Sequence, residues 1–268
     1  MNNTNKKIQV YVVSHSEEDI RNIVANDVYV PFFVGRDGKD NLGFLSDDTG
    51  DNISSKNSSY CELTGLYWMW KNSTADIIGL VHYRRYFAKW RLGKRLERKE
   101  LEDIFEEYDI ILPKKTTSLL GSVYEDYNHW NYAKDLDLCE DVITEQCPEY
   151  LDSYHKVVNG KDLYYYNMFI AKKEVIDPYC EWVFPILAEV EKRVDMTGYD
   201  DYQKRIYGFL TERLFDVWMD KQNLKVKESE LKVNGLRLNV HMWIVKRAIV
   251  RWAYVHIYMG LLHKDMRR

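Results

Sequence analysis

Cysteine, proline and glycine are scarce in this chain of 268 residues, which contains four cysteines, five prolines and 13 glycines. The cysteines show no CxxC spacing, which argues against a zinc site of the finger type. Together with the lack of a secretory signal at the N-terminus, they predict a reduced, cytoplasmic compartment. No apolar run reaches the roughly 18 to 20 residues that a membrane-spanning helix needs.

Several catalytic motifs are also missing from the sequence. It has no Walker loop, GxGxxG fingerprint, HExxH helix or GxSxG elbow, so the signatures of these enzyme classes are absent. An Asp-x-Asp directly after a strand, which many nucleotide-sugar enzymes use to hold a metal, is not evident, because Asp135-x-Asp137 opens a predicted helix. We therefore predict no metal ligands, and the sequence leaves open whether a divalent metal takes part.

What the chain does have is apolar and aromatic side chains. Hydrophobic residues make up 46% and aromatic residues 14%, including 21 tyrosines and eight tryptophans. This is enough for a substantial core, and the length fits one large α/β domain or one domain with a helical appendage. The net charge of −4 excludes a general nucleic-acid binder.

The last 28 residues differ in charge from the rest of the chain. Residues 241–268 hold six basic residues and one acidic residue, a net charge of +5, so the preceding 240 residues carry −9. The segment is apolar and aromatic between its basic positions. It predicts an amphipathic helix that lies on an anionic membrane surface, and a helix docked on the body is the alternative.

The first predicted strand, Ile8–Val13, ends in the small polar residues Ser14, His15 and Ser16. Nucleotide-binding sheets commonly hold the base or ribose at such a position. An ordinary turn into a helix capped by Ser16 explains the same residues equally well.

The rest of the predicted site is organised around residues 52–87. A polar loop with Lys56 and Asn57 comes first, followed by a predicted helix over 60–70 and a buried strand over 77–81. Directly after the strand stand His82, Tyr83, Arg84, Arg85 and Tyr86. Ligands of α/β sheets collect beyond the carboxyl ends of strands, so this segment predicts an anion-binding rim.

Without a metal, a diphosphate must be neutralised by cationic side chains, and arginine does this with bidentate hydrogen bonds. Arg84 and Arg85 are the main candidates, supported by Lys56 and His82. The alternative is that both arginines pair with acidic residues of the acidic body.

Three later segments complete the predicted site. Residues 118–137 read as irregular and contain Asp126 and His129 in a mixture suited to an acceptor hydroxyl. Residues 164–171 predict a buried strand with polar Asn167 in its middle, which must find partners. Glu212 interrupts an apolar helix, where it either pairs locally or faces the site.

Several of these segments resemble a family of bacterial capsular and exopolysaccharide glycosyltransferases that was long catalogued only as a domain of unknown function. The resemblance is carried by NISSKNSSYCELTGLYWMWKN, IIGLVHYRRYF, LPKK, YYYNMFIAKKEV, YCEWVFPIL and YGFLTERLFDVW. It covers about residues 8–240 and implies an α/β, GT-A-like nucleotide-diphosphosugar transferase domain over 1–240, followed by the basic amphipathic tail over 241–268.

The resemblance also implies a function. Members are linked to transfer of galactose or galactofuranose from a UDP-sugar to a lipid-linked or growing glycan, here at the inner face of the cell membrane. The expected donor-binding residues are Ser14, His15, Lys56, Asn57, Tyr60, His82, Tyr83, Arg84, Arg85 and Asn167. Asp126, His129 and Glu212 stay open as the base that deprotonates the acceptor hydroxyl, and the missing Asp-x-Asp departs from ordinary GT-A enzymes.

Two other functions use the same residues. A non-catalytic nucleotide-sugar or glycan-binding subunit of a polysaccharide assembly complex would bind in the same pocket without turnover. A metal-free phosphohydrolase would release phosphate from the sugar nucleotide in place of extending a glycan.

Overall fold

The computed structural model describes residues 6–91 and 93–234 as a mixed α/β fold around one large sheet. The strands are β1 (Ile8–Ser14), β2 (Tyr29–Phe33), β3 (Leu45–Ser46), β4 (Ile77–His82), β5 (Arg85–Ala88), β6 (Ile110–Pro113), β7 (Thr116–Thr117), β8 (Asp162–Leu163), β9 (Phe169–Lys172) and β10 (Val226–Val233). The helices are α1 (Glu17–Arg21), α2 (Asn57–Tyr60), α3 (Leu63–Asn72), α4 (Arg98–Phe105), α5 (Val123–Trp130), α6 (Lys134–Gln146), α7 (Leu151–Val158), α8 (Lys173–Arg193) and α9 (Ile206–Asp220).

The order and direction of the strands determine which strand ends lie at the same edge of the sheet. β3, β2, β1 and β4 are neighbours and run parallel. β9 lies between β4 and β6 and is antiparallel to both, and β10 runs parallel to β6. The carboxyl ends of β1, β2, β4 and β6 therefore share one edge of the sheet with the beginning of β9. We call this the carboxyl edge.

Alternating side chains of β1 show that both faces of the sheet are covered. Tyr11 and Val13 belong to the larger hydrophobic cluster, which also contains residues of α3, α6, α8 and α9. Val10 and Val12 belong to the smaller cluster on the opposite face, which α4 closes with Leu101. Such two-sided burial explains why the strands read as continuous apolar runs in the sequence.

The helix predicted over 60–70 is interrupted. α2 ends at Tyr60 and α3 begins at Leu63, because Cys61 takes φ 52° and ψ −130°, outside the helical region. The break places Glu62 at the start of α3. No glycine or proline marks the position, so apolar periodicity alone continues the helix across it.

The irregular segment predicted over 118–137 is wrong in its middle, where α5 runs from Val123 to Trp130. The helix begins with a capping box: Ser122 accepts from the backbone of Glu125, and the Glu125 side chain accepts from the backbone of Ser122. This S-x-x-E signature is visible in the sequence. The prediction that Asp135 opens a helix is confirmed, since that residue lies in the first turn of α6.

The strand predicted over 164–171 is also wrong in its first half, since β9 covers only Phe169–Lys172. Tyr166 and Asn167 have φ of 83° and 50°, which a strand does not allow. The backbone amides of Tyr164 and Tyr166 donate to the carboxylates of Asp216 and Glu212 on α9. Carboxylates of α9 thus replace the strand partners that these amides would otherwise need.

The chain divides into two compact units after Lys232. The predicted tail over 241–268 lies outside the described residues. Among the helices of residues 6–91 and 93–234, none is long and apolar enough to cross a membrane.

Candidate functional site

The carboxyl edge brings together residues from the ends of β1 and β4 and the start of β9. Val13 pairs with His82, and Leu80 pairs with Phe169, so the segments after β1 and β4 and before β9 emerge side by side. His82 Nε2 lies 2.8 Å from the carbonyl oxygen of Tyr166. Because a carbonyl only accepts, this contact requires the proton on Nε2.

Arg84 and Arg85 follow β4 with their hydrogen-bonding groups unused. Within the described part of the chain, neither guanidinium donates a hydrogen bond, and no carboxylate lies within 4.0 Å of either. Each instead lies over an aromatic ring, Arg84 at 4.8 Å from the centroid of Tyr83 and Arg85 at 4.5 Å from that of Tyr166. Stacking leaves the planar N–H donors of a guanidinium available for an anion.

Two more cations approach the same place. Arg205 donates through Nε to Cys61 Sγ at 3.2 Å, and Lys39 lies over the ring of Phe33 at the end of β2. As for the two arginines after β4, no described carboxylate lies within 4.0 Å of them. We name the set of Lys39, Arg84, Arg85 and Arg205 the cation rim.

The pKa of His15 is lowered by partial burial and by the positive charges of this rim. Partial desolvation is the main cause that lowers its pKa, and the positive charges of Lys39, Arg205 and Arg84 lower it further against the opposing charge of Asp19. Three cations from three separate segments therefore act on one imidazole. A histidine whose pKa is lowered by several nearby cations marks a positive potential that an anionic ligand would relieve.

Beside the rim, two carboxylates accept hydrogen bonds from the turn that contains Tyr166 and Asn167. Asn167 Nδ2 donates to Glu62 Oε1 at 2.7 Å and to the carbonyl oxygen of Gly208 at 3.0 Å. Glu212 accepts from the Tyr166 amide at 2.8 Å. We name Glu62 and Glu212 the carboxylate pair.

Glu212 has the environment of a group tuned for proton transfer. Its side chain is only 14% exposed, and burial raises its pKa. The positive charge of Arg213, 2.9 Å away, partly counteracts this rise, and the negative charge of Glu62 adds to it. Carboxyl groups with a raised pKa in clefts are candidates for general acid–base chemistry. The sequence left open whether Glu212 pairs or faces the site, and the structure shows that it pairs with Arg213.

Backbone strain is concentrated at this pair. Of the described residues other than glycine, Cys61, Tyr166 and Asn167 have positive φ. Each flanks or contacts a member of the pair. Such conformations cost on the order of 1–3 kcal/mol each and persist where the surrounding structure enforces them, often at functional sites.

The other two candidate bases lie on α5, further from the rim. Asp126 is 3.9 Å from Arg213 and accepts from the Tyr165 hydroxyl at 3.3 Å. It is thus linked to Glu212 through Arg213. His129 is exposed and packs edge-on against Trp130, 4.7 Å between centroids.

Several expected donor-binding residues have internal partners. Lys56 pairs with Glu191 at 2.6 Å, and the Tyr60 hydroxyl donates to the same carboxylate. Asn57 donates to the carbonyl oxygen of Cys61, at the interruption between α2 and α3. These contacts support the loop that carries Glu62 and position it beside the rim.

The remaining expected residue at the end of β1 is Ser14. It is buried and takes part in a local turn with Ser16, which caps α1 as the sequence suggested. Contact of Ser14 and His15 with a nucleotide stays a prediction. Three residues that the sequence did not single out, Lys39, Glu62 and Arg205, join the site only through the tertiary fold.

Over residues 6–91 and 93–234, no group of three or more His, Cys, Asp or Glu side chains is arranged to hold a metal ion.

Comparisons with known proteins fit this arrangement. Residues 9–223 match the model of a family described as "Domain of unknown function (DUF4422)". The fold is similar to a solved structure described as the apo form of a bifunctional glycosyltransferase, WbbM, with 31% sequence identity and a TM-score of 0.73. The match covers 85% of this chain and 45% of that protein. No curated protein matches the sequence.

Proposed function

The chain belongs to DUF4422, a family described as a domain of unknown function, and we propose that within it this protein is a glycosyltransferase that uses a nucleotide-diphosphosugar. The observation that carries the proposal is the cation rim. Four basic side chains from three separate segments, after β2, after β4 and before α9, meet at the carboxyl edge without carboxylate partners among the described residues. A diphosphate is the ligand whose charge and geometry suit paired guanidinium groups.

The similarity to WbbM supports the same reaction class. That protein is described as a bifunctional glycosyltransferase, and this chain spans less than half of its length. The activity is therefore proposed for this chain from its own site, with the structural similarity as support. A GT-A-like fold and a galactosyl or galactofuranosyl donor belong to the proposal through the resemblance of the sequence motifs.

In the proposed reaction, the rim holds the donor and Glu212 acts on the acceptor. Arg84 and Arg85 bind the diphosphate, and the nucleoside lies toward Ser14 and His15 at the end of β1. The acceptor hydroxyl attacks the anomeric carbon and passes its proton to Glu212, while the bond from that carbon to the diphosphate oxygen breaks. The nucleoside diphosphate leaves with its new charge stabilised by the arginines.

Glu212 is preferred over Asp126 and His129 because of its position and burial. It lies one hydrogen bond from Tyr166, whose ring contacts Arg85 and whose carbonyl contacts His82. Asp126 reaches the site only through Arg213, and His129 is exposed. Glu62 would raise the basicity of Glu212 through its nearby negative charge.

Glu212→Gln tests the chemical step separately from binding. We expect turnover of UDP-galactose in the presence of a lipid-linked glycan acceptor to fall about 100-fold or more, since a general base of this kind contributes that much. UDP affinity should stay within a factor of about three, since the rim is intact. Glu230→Gln is the matched control, because Glu230 pairs with Lys114 away from the carboxylate pair.

The pH dependence adds a second readout. Burial raises the pKa of Glu212 above the 4.5 of an ordinary glutamate. A general base must be deprotonated, so wild-type kcat/KM should decline as the pH is lowered, and this decline should begin above pH 4.5. The decline at low pH should be absent from the profile of Glu212→Gln. Unchanged turnover in the variant would exclude Glu212 as the base. UDP binding without turnover in the wild-type protein, across UDP-hexoses and acceptors, would instead identify a non-catalytic nucleotide-sugar-binding subunit.

The proposed acceptor and location rest on the composition of the tail and on the resemblance of the sequence motifs. We propose a lipid-linked or growing polysaccharide acceptor in capsule or exopolysaccharide synthesis, reached through the basic segment 241–268 at the inner membrane face. The support is its charge of +5 and its apolar composition. Fractionation of membranes with the full chain and with residues 1–240 checks this, and equal membrane association of both would reject it.

A further inference from the structure

A cleft opens beside the segment that follows β6, away from the residues of the cation rim. Its volume is about 400 Å³, within the size range of small-molecule sites. It is bounded by the segment after β6, the end of α7, β8 and the second half of α9. Its polar lining consists of Lys115, Lys156, Lys161, Asp162, Asp216 and Asp220, with the ring of Tyr164 at one side.

The charges of this cleft balance, in contrast to those of the cation rim. Lys115 Nζ lies 2.8 Å from Asp216 Oδ1, and Lys156 Nζ lies 2.5 Å from Asp220 Oδ1. Each pair places strong donors next to strong acceptors. An anion gains little from such a lining, whereas neighbouring sugar hydroxyls, which donate and accept at once, match it.

Asp216 is the buried anchor of the cleft. Its side chain is 1% exposed, and burial raises its pKa against the opposing charge of Lys115. One oxygen accepts from the Tyr164 amide at 2.9 Å. The Lys115 ammonium lies 4.7 Å from the centroid of the Tyr164 ring, so the ring and the ion pair form one wall.

The cleft is adjacent to the proposed base. Asp216 lies four residues after Glu212 on α9, about 6 Å along the helix axis and on the same face. The Tyr164 amide donates to Asp216, and the Tyr166 amide donates to Glu212. A ligand in the cleft would therefore lie against the turns of α9 that directly follow Glu212.

From this arrangement we propose that the cleft binds an uncharged hexose unit of the acceptor glycan, with Lys115, Lys156 and Asp220 hydrogen-bonding its hydroxyl groups and the buried Asp216 holding Lys115 in place. The inference rests on the proposed transfer reaction and assigns the acceptor its own subsite. Tyr164 provides an apolar surface for the sugar ring. The acceptor hydroxyl would then approach Glu212 from this side while the donor occupies the rim.

The test is saturation-transfer NMR of the full chain with methyl β-D-galactopyranoside, methyl α-D-glucopyranoside and methyl α-D-mannopyranoside, with inorganic phosphate as the charged competitor. We expect transfer to at least one glycoside and no displacement by phosphate. Lys115→Ala should weaken that binding about tenfold or more, as expected for loss of a charged hydrogen bond. The neighbouring Lys114→Ala is the matched control, because Lys114 pairs with Glu230 outside the cleft.

Lys156→Ala gives an independent variant if Lys115→Ala destabilises the fold, since the Lys156 side chain is 72% exposed. No transfer to any glycoside from the wild-type protein at tens of millimolar would overturn the proposal, as would equal binding in Lys114→Ala and both cleft variants. Displacement by phosphate would identify an anion site and overturn it too. UDP titrations and turnover assays of the same samples distinguish failure of the cleft from failure of the transferase proposal, because only the latter appears as lost UDP binding or as UDP binding without turnover.

Discussion

Two basic segments follow each other along the chain, and their side chains have different surroundings. Arg84 and Arg85 stand after β4 without a described carboxylate within 4.0 Å. In the next segment, Lys89 pairs with Glu100, Arg95 with Glu97, Arg98 with Asp27 and Lys99 with Asp103. Arg91 and Lys94 are the two other basic residues there, and both are exposed.

The difference teaches what makes a basic segment an anion site. The second segment is richer in lysine and arginine, yet most of its charge is neutralised by partners on α4 and after α1. The first is shorter but lies at the carboxyl edge, where Lys39 and Arg205 add to its charge. Local density of basic residues is therefore a weaker indicator than the position at which the sheet presents them.

The largest expected difference between the two basic segments concerns nucleotide affinity. Arg84→Ala/Arg85→Ala should weaken UDP binding about 100-fold or more, because each charged hydrogen bond contributes about 1.5–3 kcal/mol and every 1.4 kcal/mol is tenfold. Arg98→Ala/Lys99→Ala, an adjacent pair of basic residues with partners, should change it less than twofold. Calorimetric titration measures both, and equal weakening by the two double variants would break the distinction.

The expected effect on stability is smaller, and the loss should occur in the other double variant. Arg98→Ala/Lys99→Ala removes exposed ion pairs with Asp27 and Asp103 and should lower the urea midpoint slightly. Arg84→Ala/Arg85→Ala removes like charges that have no described partner and should leave the midpoint unchanged or raise it at low salt. Urea unfolding at two ionic strengths checks this; a large loss of stability on removing Arg84 and Arg85 would indicate that these arginines serve the fold.

The smallest expected effect is on the titration of His15. Desolvation and the charges of the rim lower the pKa of its imidazole in the absence of ligand. A bound diphosphate adds negative charge, so the pKa should rise and UDP affinity should increase as the pH falls through this range. NMR titration of the imidazole with and without UDP measures the shift. An unchanged pKa at saturating UDP would place the nucleotide away from β1.

Much of the fold follows from local patterns in the sequence. The strands β1 and β4 are continuous apolar runs covered on both faces, so their positions were predicted within a few residues. The interruption at Cys61 and the turn at Tyr166 and Asn167 were not. Both depend on positive φ at residues other than glycine, which tertiary contacts impose and local sequence does not encode.

The site divides in the same way. Arg84, Arg85 and His82 follow a strong strand signal, and the rule for carboxyl ends of strands places them at a functional edge. Glu62 was hidden inside a predicted helix, where its charge beside Cys61 was the available signal. Lys39 and Arg205 come from polar loops distant in sequence, and only the folded chain brings them to His15.

The most direct test of the central claim is a calorimetric titration of the wild-type chain with UDP, with and without manganese or magnesium, against GDP, ADP and CDP. The account predicts selective binding of UDP, with a stoichiometry of one per chain, that weakens as salt is raised because cationic side chains hold the diphosphate. Absence of binding to every nucleotide, with or without metal, would contradict the assignment of the cation rim as a nucleotide-sugar site.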